Sequence, residues 1–211
     1  EIIYQDCYDA GITSTYNITR SDSKTLGKDL VQAYDSICHG PVEIKKYLQA
    51  LVDHKINHMN MKDISWNTPS GFPVLTQKWV ARKKVYKGSL QKKQISHVYL
   101  ETTDIPTLAE HLSAIGANWV HSYDASHMSL VINKLNLKSF GAIHDSFSVH
   151  AADVESLINA TKSEFVKMYA KDIFAVMRKE IIWNEENFKE ETPEVGKLIL
   201  EDIYGSDFFF C

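Results

Sequence analysis

Residues 118–151, NWVHSYDASHMSLVINKLNLKSFGAIHDSFSVHA, constrain the fold more than any other stretch of the chain. A helical segment opening near His121 leads into two short apolar strands, Ser139–His144 and Phe147–His150, joined by a turn in the sequence His-Asp-Ser-Phe. Such a hairpin buries Phe140, Ala142 and Ile143 and lifts a single carboxylate, Asp145, out of the sheet. His144 then points to the opposite face of the strand and positions the turn, while Ser146 hydrogen-bonds within it. An Asp in a turn is, taken alone, most often a turn residue. A hard cation such as Mg²⁺ nevertheless wants carboxylate oxygens presented in this way, with phosphates completing an octahedral shell.

The rest of the chain divides by periodicity. Thr25–His39 places Leu26, Leu30, Ala33, Tyr34 and Ile37 on one helical face, and Gly40-Pro41 ends it. Pro41 suits the first turn of a second helix, whose stripe of Ile44, Leu48, Leu51, Val52, Ile56 and Met59 reads as core. Residues 1–64 thus read as a helical hairpin segment. Beyond Asn60 come short extended pieces punctuated by Pro69, Gly71 and Pro73, then two strands, Lys78–Lys87 and Leu90–Glu101, joined at Gly88-Ser89. A helix is predicted from about Asp104, with Pro106 in its first turn and Leu108, Leu112 and Ile115 inward, and another from near His121 to about Leu135. Asp153 caps a long helix with Val154, Leu157, Ile158, Thr161, Phe165 and Met168 on one face. A last short helix takes Thr192 as N-cap, Pro193 at its first position and Gly205 as its stop. The mixture predicts an α+β fold in which an antiparallel hairpin is surrounded by helices, not a parallel doubly wound sheet.

Charge is segregated. The net charge is −4, yet Lys78, Arg82, Lys83, Lys84, Lys87, Lys92 and Lys93 lie within one stretch free of acids, with Trp79 and Tyr86 among them. Phosphate binding responds to the local field, so a basic hairpin on an acidic protein is a candidate nucleic-acid contact. The cysteines Cys7, Cys38 and Cys211 are far apart, lack metal-ligand spacing and read as reduced thiols. No apolar run is long enough to span a bilayer, and Glu1–Ala10 has no leader pattern; a chain starting on Glu points to a boundary at position 1.

A second cluster, His121, Ser122, Asp124 and His127, lies broadly along one side of a helix, where a metal site is conceivable, although the spacing matches no established zinc motif. Asp124 and His127 are assigned to supporting hydrogen bonds. The segment Ser206–Cys211, with Phe208, Phe209 and Phe210 in a row, is expected to dock rather than stay in water.

Thr68–Val74 (TPSGFPV), Val120–Ser122 with Asp124 and Ser126–His127, His144–Phe147, and Ser206–Phe210 (SDFFF) occur in this order along the chain. Together they resemble the C-terminal catalytic region of the single-subunit, bacteriophage-type DNA-directed RNA polymerases, including their mitochondrial relatives. The resemblance covers roughly residues 65–211 and fits residues 1–64 only loosely. It implies a fingers-like segment over 1–64 and a C-terminal palm region over 65–211. Asp145 becomes one metal-binding carboxylate for two-Mg²⁺ nucleotidyl transfer from NTPs on a DNA template. His121 looks like the His that contacts the minor-groove side of the nascent template–product pair. The aromatic tail, Phe208 to Phe210, would fold near the active site, with the carboxylate of Cys211 close to the metals.

That family also uses a second catalytic Asp and a nucleotide-binding helix with a Lys, an Arg and a Tyr, and neither pattern is found here. The expectation is therefore a C-terminal piece, or one subunit of a split enzyme, that is inactive alone. Its partners would be template DNA, RNA product, NTP and the upstream part of the polymerase, with no membrane involved. It would work in the cytoplasm of an infected bacterium or in a mitochondrion or other organelle. Three alternatives compete. One is a non-catalytic nucleic-acid-binding or scaffolding subunit. Another is a family A DNA polymerase palm, which normally carries an acid where Ser146 stands. The third is a stand-alone metal hydrolase built on His121, Asp124, His127 and Asp145.

Overall fold

The computed structural model describes residues 5, 19–90, 93–143, 146–183, 188–207 and 209. The chain divides into two compact units, Glu1–Lys46 and Tyr47–Cys211. In the first, α1 (Arg20–Ile37) begins at a reciprocal cap: the Asp22 N–H donates to the Thr19 hydroxyl at 3.2 Å, and the Thr19 N–H donates to the Asp22 carboxylate at 2.8 Å. Leu26, Leu30, Tyr34 and Ile37 share a face as expected, and that face is exposed. After Cys38, α2 (His39–Asp53) carries the boundary between the units.

The second unit takes Tyr47, Leu48, Leu51 and Val52 of α2 into its core. The helix does not run on to Met59 as an α-helix. It widens into a π turn, His54–His58, closed by the Met59 N–H donating to the His54 carbonyl at 3.1 Å. Four further strands and a long helix follow. β1 (Ile64–Asn67) pairs antiparallel with β2 (Pro73–Thr76), and β3 (Trp79–Leu90) with β4 (Lys93–Pro106). The helix α3 spans Leu108–Leu135 and buries Ile115, Trp119, Tyr123 and Val131. One helix therefore replaces the two predicted from Asp104 and from His121. Residues 104–106 belong to β4, where Pro106 sits at the strand end and needs no ladder N–H. Inside α3, Gly116 costs only about 1 kcal/mol relative to Ala, less than the burial of Ile115 or Trp119 alone contributes. The helix stops at Asn136, which takes the left-handed conformation (φ 45°, ψ 39°) and donates its N–H back to the Ile132 carbonyl.

A short antiparallel pair comes next, β5 (Gly141–Ile143) with β6 (Ser146–Ser148). A 3₁₀ turn (Ala151–Asp153) leads into α4 (Val154–Tyr169), and Asp153 closes that turn without the capping bond expected of it. α5 (Ile173–Ile181) is absent from the sequence reading, although Asp172 caps it in the usual way, accepting from the N–H groups of Phe174 and Ala175. α5 buries Phe174, Met177 and Ile181. The last helix expected from Thr192 is reduced to a 3₁₀ turn, Leu200–Gly205. Val195, Leu198 and Ile199 are exposed, so no buried face offsets the entropy of winding a helix there. The α+β class holds, with three two-stranded antiparallel sheets among the described residues. Among the same residues, no helix is long and apolar enough to cross a membrane.

α3 and α4 are joined across their shared side by an ion triad. Glu164 of α4 lies 3.2 Å from the Lys134 ammonium of α3 and 2.9 Å from that of Lys167. Burial pushes the Glu164 carboxyl up, but its hydrogen bonds to Lys167 and Lys134 outweigh burial and hold it below the ordinary value of 4.5. The sign follows from a depressed folded-state value: the stabilisation is complete above the unfolded-state value and disappears as pH falls through the lower folded one. Urea denaturation of the wild type across the acid range is expected to show this loss, and Glu164→Gln is expected to flatten it. Identical acid limbs for the two proteins would show that the triad contributes nothing to stability.

Candidate functional site

The two strands expected to flank Asp145 pair antiparallel. Gly141 pairs with Ser148, Ala142 with Phe147 and Ile143 with Ser146. A Cβ at position 141 would run into the Ser148 hydroxyl, which would have to rotate away to make room. Phe140 and Phe147 brace the pair from one side, ring centroids 5.6 Å apart. His144 and Asp145 lie outside the described residues. Ser146, at the start of β6, is exposed. The expected burial of Ala142 and Ile143 is corrected: both are exposed, Ile143 by 76%, and because adjacent strand residues point to opposite faces, neither face of this short pair is covered at these positions.

Next to helix α3 the turn Thr68–Phe72 builds a cavity. The Thr68 N–H donates to the Phe72 carbonyl, the Gly71 N–H to the Thr68 carbonyl and the Phe72 N–H to the Thr68 hydroxyl, all within 2.8–3.0 Å. Gly71 takes φ +84°, the left-handed region that a side chain would strain. The turn is stitched to the helix by hydroxyls. The Ser70 N–H donates to Ser126 Oγ at 2.7 Å, and that hydroxyl donates on to Ser70 Oγ at 2.8 Å. One strand earlier, the buried Trp66 indole N–H donates to Ser122 Oγ at 3.1 Å, and Ser122 donates to the Trp119 carbonyl. Between turn and helix lies a cavity of about 550 Å³, its helical wall formed by Ser122, Ala125, Ser126, Ser129 and Asn133.

As a wall, these residues escaped the sequence reading. The signal was available: Ser122, Ser126, Ser129 and Asn133 recur at steps of four, three and four, a polar stripe along an otherwise core-forming helix. His121 is exposed and stands one turn before Ala125 on the same helix, at the edge of this wall. It is a mid-helix residue, not the helix start expected of it.

The four-residue cluster around His121 does not converge. Asp124 is exposed, whereas His127 is buried and its Nε2–H donates to the Thr161 carbonyl at 2.9 Å. Three-residue steps on an α-helix slip by about 60° each, so His121 and His127 face different neighbours. The His127 bond ties α3 to α4. Among the described residues, no group of three or more His, Cys, Asp or Glu side chains is arranged to hold a metal ion.

The basic residues lie on the long β3–β4 ribbon. Their strands pass through Gly88 and Ser89, which pair with Ile95 and Gln94, so the two residues predicted as the turn lie within the ladder. Arg82, Lys83, Lys84 and Lys87 are exposed, and their alternation puts Arg82 and Lys84 on one face, Lys83 and Lys87 on the other. Lys84 pairs with Glu101 across the ribbon at 2.5 Å. Lys78 sits at the ribbon's foot, its N–H 3.3 Å from Nε2 of the buried His111. Burial and the Lys78 charge push that imidazole down, consistent with its neutral, accepting role. Lys93 continues the ladder opposite Leu90, and Lys92 lies outside the described residues. Of the aromatic tail, Phe209 meets Phe165 edge to face at 4.9 Å. Phe208, Phe210 and Cys211 lie outside the described residues.

A family model described as DNA-dependent RNA polymerase matches residues 10–191. DNA-directed RNA polymerase 2, chloroplastic/mitochondrial, of Arabidopsis thaliana is 31% identical over 162 residues, covering 74% of this chain and 15% of that protein. The DNA-directed RNA polymerase of Enterobacteria phage T3 is 30% identical over 164 residues, 70% of this chain and 18% of that protein. The T7 RNA polymerase of Escherichia phage T7 is 29% identical over 163 residues, with the same two coverages of 70% and 18%. The chain thus spans less than a fifth of the length of these relatives.

Proposed function

This chain belongs to the DNA-dependent RNA polymerase family, and from that premise we propose that it completes the catalytic centre of a phage-type polymerase. In this proposal residues 1–64 are a fingers-like segment and 65–211 the palm region. Asp145 supplies one carboxylate to Mg²⁺ for nucleotidyl transfer from NTPs on a DNA template. The observation that carries the proposal is the family match over 10–191, which takes in Thr68–Val74, His121 and the strands bracketing His144-Asp145.

Bound Mg²⁺ supplies charge stabilisation to the reacting phosphoryl group. One carboxylate does not fill an octahedral shell, and the described residues hold no three-ligand group. In this proposal the remaining ligands come from the upstream part of the polymerase and from substrate phosphates. This chain's described residues act on the nucleic acid instead. His121 offers an exposed ring donor to the acceptors common to the minor-groove edges of base pairs. Ser129 and Asn133 extend that edge with neutral donors suited to sugar and phosphate oxygens. The relatives are phage and organellar polymerases, so an infected bacterium or an organelle is the proposed place of action.

The test is Mg²⁺-dependent ribonucleotide addition on a preassembled RNA–DNA scaffold. The chain is assayed alone and mixed with a polypeptide that supplies the upstream palm and nucleotide-binding helix. Addition by the mixture only, with NTPs preferred over dNTPs, is the expected result. An inactive mixture would sink the proposal, and a preference for dNTPs would return the family A alternative.

The β3–β4 ribbon is proposed to track phosphates beside this centre. Replacing Arg82, Lys83 and Lys87 by Gln is expected to weaken scaffold binding and flatten its salt dependence. On duplex DNA the log–log slope should fall by about 0.9 for each phosphate that is no longer neutralised. Lys84→Gln should matter less, because Glu101 already neutralises that ammonium. Fluorescence titrations over a range of salt measure both slopes, and an unchanged slope in the triple variant would remove the ribbon from the interface.

A further inference from the structure

We infer that Glu180 of α5 is a positioning residue that holds the stem of the Thr68–Phe72 turn, and that this hold keeps the cavity beside α3 in the shape that takes nucleic acid; the second half rests on the polymerase proposal above. Asn67 is the last residue of β1 and leads directly into the turn. The Thr68 N–H donates inward to the Phe72 carbonyl. Inward and outward bonds alternate along an antiparallel strand, so the Asn67 N–H points away from β2. An outward N–H on a two-stranded sheet takes its acceptor from outside the sheet. Glu180 supplies it. One carboxylate oxygen, Oε2, accepts from the Asn67 N–H at 3.2 Å and from the Asn67 side-chain amide at 2.8 Å. Both bonds are charge-assisted, and together they fix the backbone and the side chain of one residue.

The anchor is fixed by packing, and the stem it holds is not. Glu180 lies in sequence between Met177 and Ile181, both buried on α5, and Phe174 of the same helix stacks on Trp119 of α3 with ring centroids 5.9 Å apart. A helix packed in this way does not shift without opening the core. Thr68, by contrast, lines both the cavity beside α3 and a second cavity of about 390 Å³, which Asn67, Glu180, Lys167 and Lys171 also line. The stem is thus a partition with open space on either side, and directed bonds set its position. Those from Ser70 to Ser126 and from Trp66 to Ser122 tie it to α3. The pair of bonds to Glu180 ties it to α5, a second direction. Without them the turn can swing on its α3 contacts, and the cavity mouth changes with it. Glu180 acts through the turn in this account and touches neither nucleotide nor metal.

The test uses the whole chain and four variants: Glu180→Ala, Glu180→Gln, Asn67→Asp, and Asn67→Asp combined with Glu180→Gln. Hydrogen–deuterium exchange reads the hold, and titration with the RNA–DNA scaffold reads its consequence. In Glu180→Ala the Asn67 and Thr68 amides are expected to exchange at least about tenfold faster, with α3 amides unchanged as the control for folding. Scaffold Kd is expected to rise about fivefold, because the scaffold must then select the seated turn from an ensemble. Glu180→Gln should stay close to wild type, since both donors meet a single oxygen and an amide carbonyl can replace it. Asn67→Asp sets two carboxylates against each other and should match Glu180→Ala in both readouts. Adding Glu180→Gln should reverse it, because the introduced amide donates to the introduced carboxylate. Damage to packing at either position would not be reversed in this way. Unchanged exchange in Glu180→Ala, or no reversal in the combined variant, would overturn the hold. Faster exchange with Kd unchanged would overturn its role at the cavity. A wild-type chain that binds no scaffold would count against the polymerase proposal, and exchange in the four variants would still decide the hold.

Discussion

In the reconstituted mixture, Asp145→Ala is expected to lower Mg²⁺-dependent ribonucleotide addition by at least about 10³-fold, or about 4 kcal/mol of transition-state stabilisation. A carboxylate bound to Mg²⁺ fixes the ion against the substrate phosphates, and no methyl group can replace that. Asp145→Asn serves as the sharper variant, because it keeps the shape and removes the charge. Both variants should lose kcat far more than scaffold affinity, since the scaffold is held by His121, the cavity edge and the ribbon in this proposal. The thermal midpoint of the isolated chain should not change. Addition that survives Asp145→Ala would remove the metal-ligand role and leave the chain as a nucleic-acid-binding scaffold, the alternative that the sequence leaves open.

How far this site was legible in the sequence depends on the length scale of each signal. The strands β5 and β6 lie within two residues of their predicted bounds, because an alternating apolar pattern broken by a polar turn is a local signal. The β3–β4 ribbon was legible as a pair, but its turn was not. Gly88-Ser89 has good turn chemistry, yet the ladder continues through both residues. Pairing register is decided by the two strands together, and a two-residue turn preference cannot override a ladder that runs from Trp79 to Leu90.

The same contest explains α3. Pro106 reads locally as belonging to a helix start, a second start is expected near His121, and burial of Ile115, Trp119 and Tyr123 along one helix decides otherwise. That correction has consequences for the site. A continuous α3 gives its exposed side to His121, its polar stripe to the turn at 68–72, and its buried side to α4 through His127. Those assignments need the partners to be known, and Thr161, Ser70 and Trp66 are 34, 56 and 56 residues away from the groups they meet. Spacing along one helix could suggest the polar stripe, but not what it faces.

Trp66 anchors the strand that leads into the cavity's turn. It is 2% exposed, it lies in the strand that leads directly into the Thr68–Phe72 turn, and its indole N–H donates to Ser122. Trp66→Ala is expected to cost about 3–5 kcal/mol, the range for deleting a buried aromatic side chain from a packed core. Against a total of about 5–15 kcal/mol for a domain, that removes a large share of the folding free energy. The hydrogen bond is the smaller part. Ser122→Ala keeps the ring but leaves the indole N–H without its acceptor, for an expected cost of about 1–3 kcal/mol.

The two variants also separate stability from site geometry. Both remove the Trp66–Ser122 bond between β1 and α3, so both should loosen the turn that faces Ser126 and weaken scaffold binding even at temperatures where the protein stays folded. Urea titrations give the stabilities, and scaffold titrations on the folded fraction give the binding. A Trp66→Ala cost under about 1 kcal/mol would mean that the indole does not anchor β1 to α3. Unchanged binding by folded Ser122→Ala would mean that the cavity is a packing feature, and that His121 meets the nucleic acid without it.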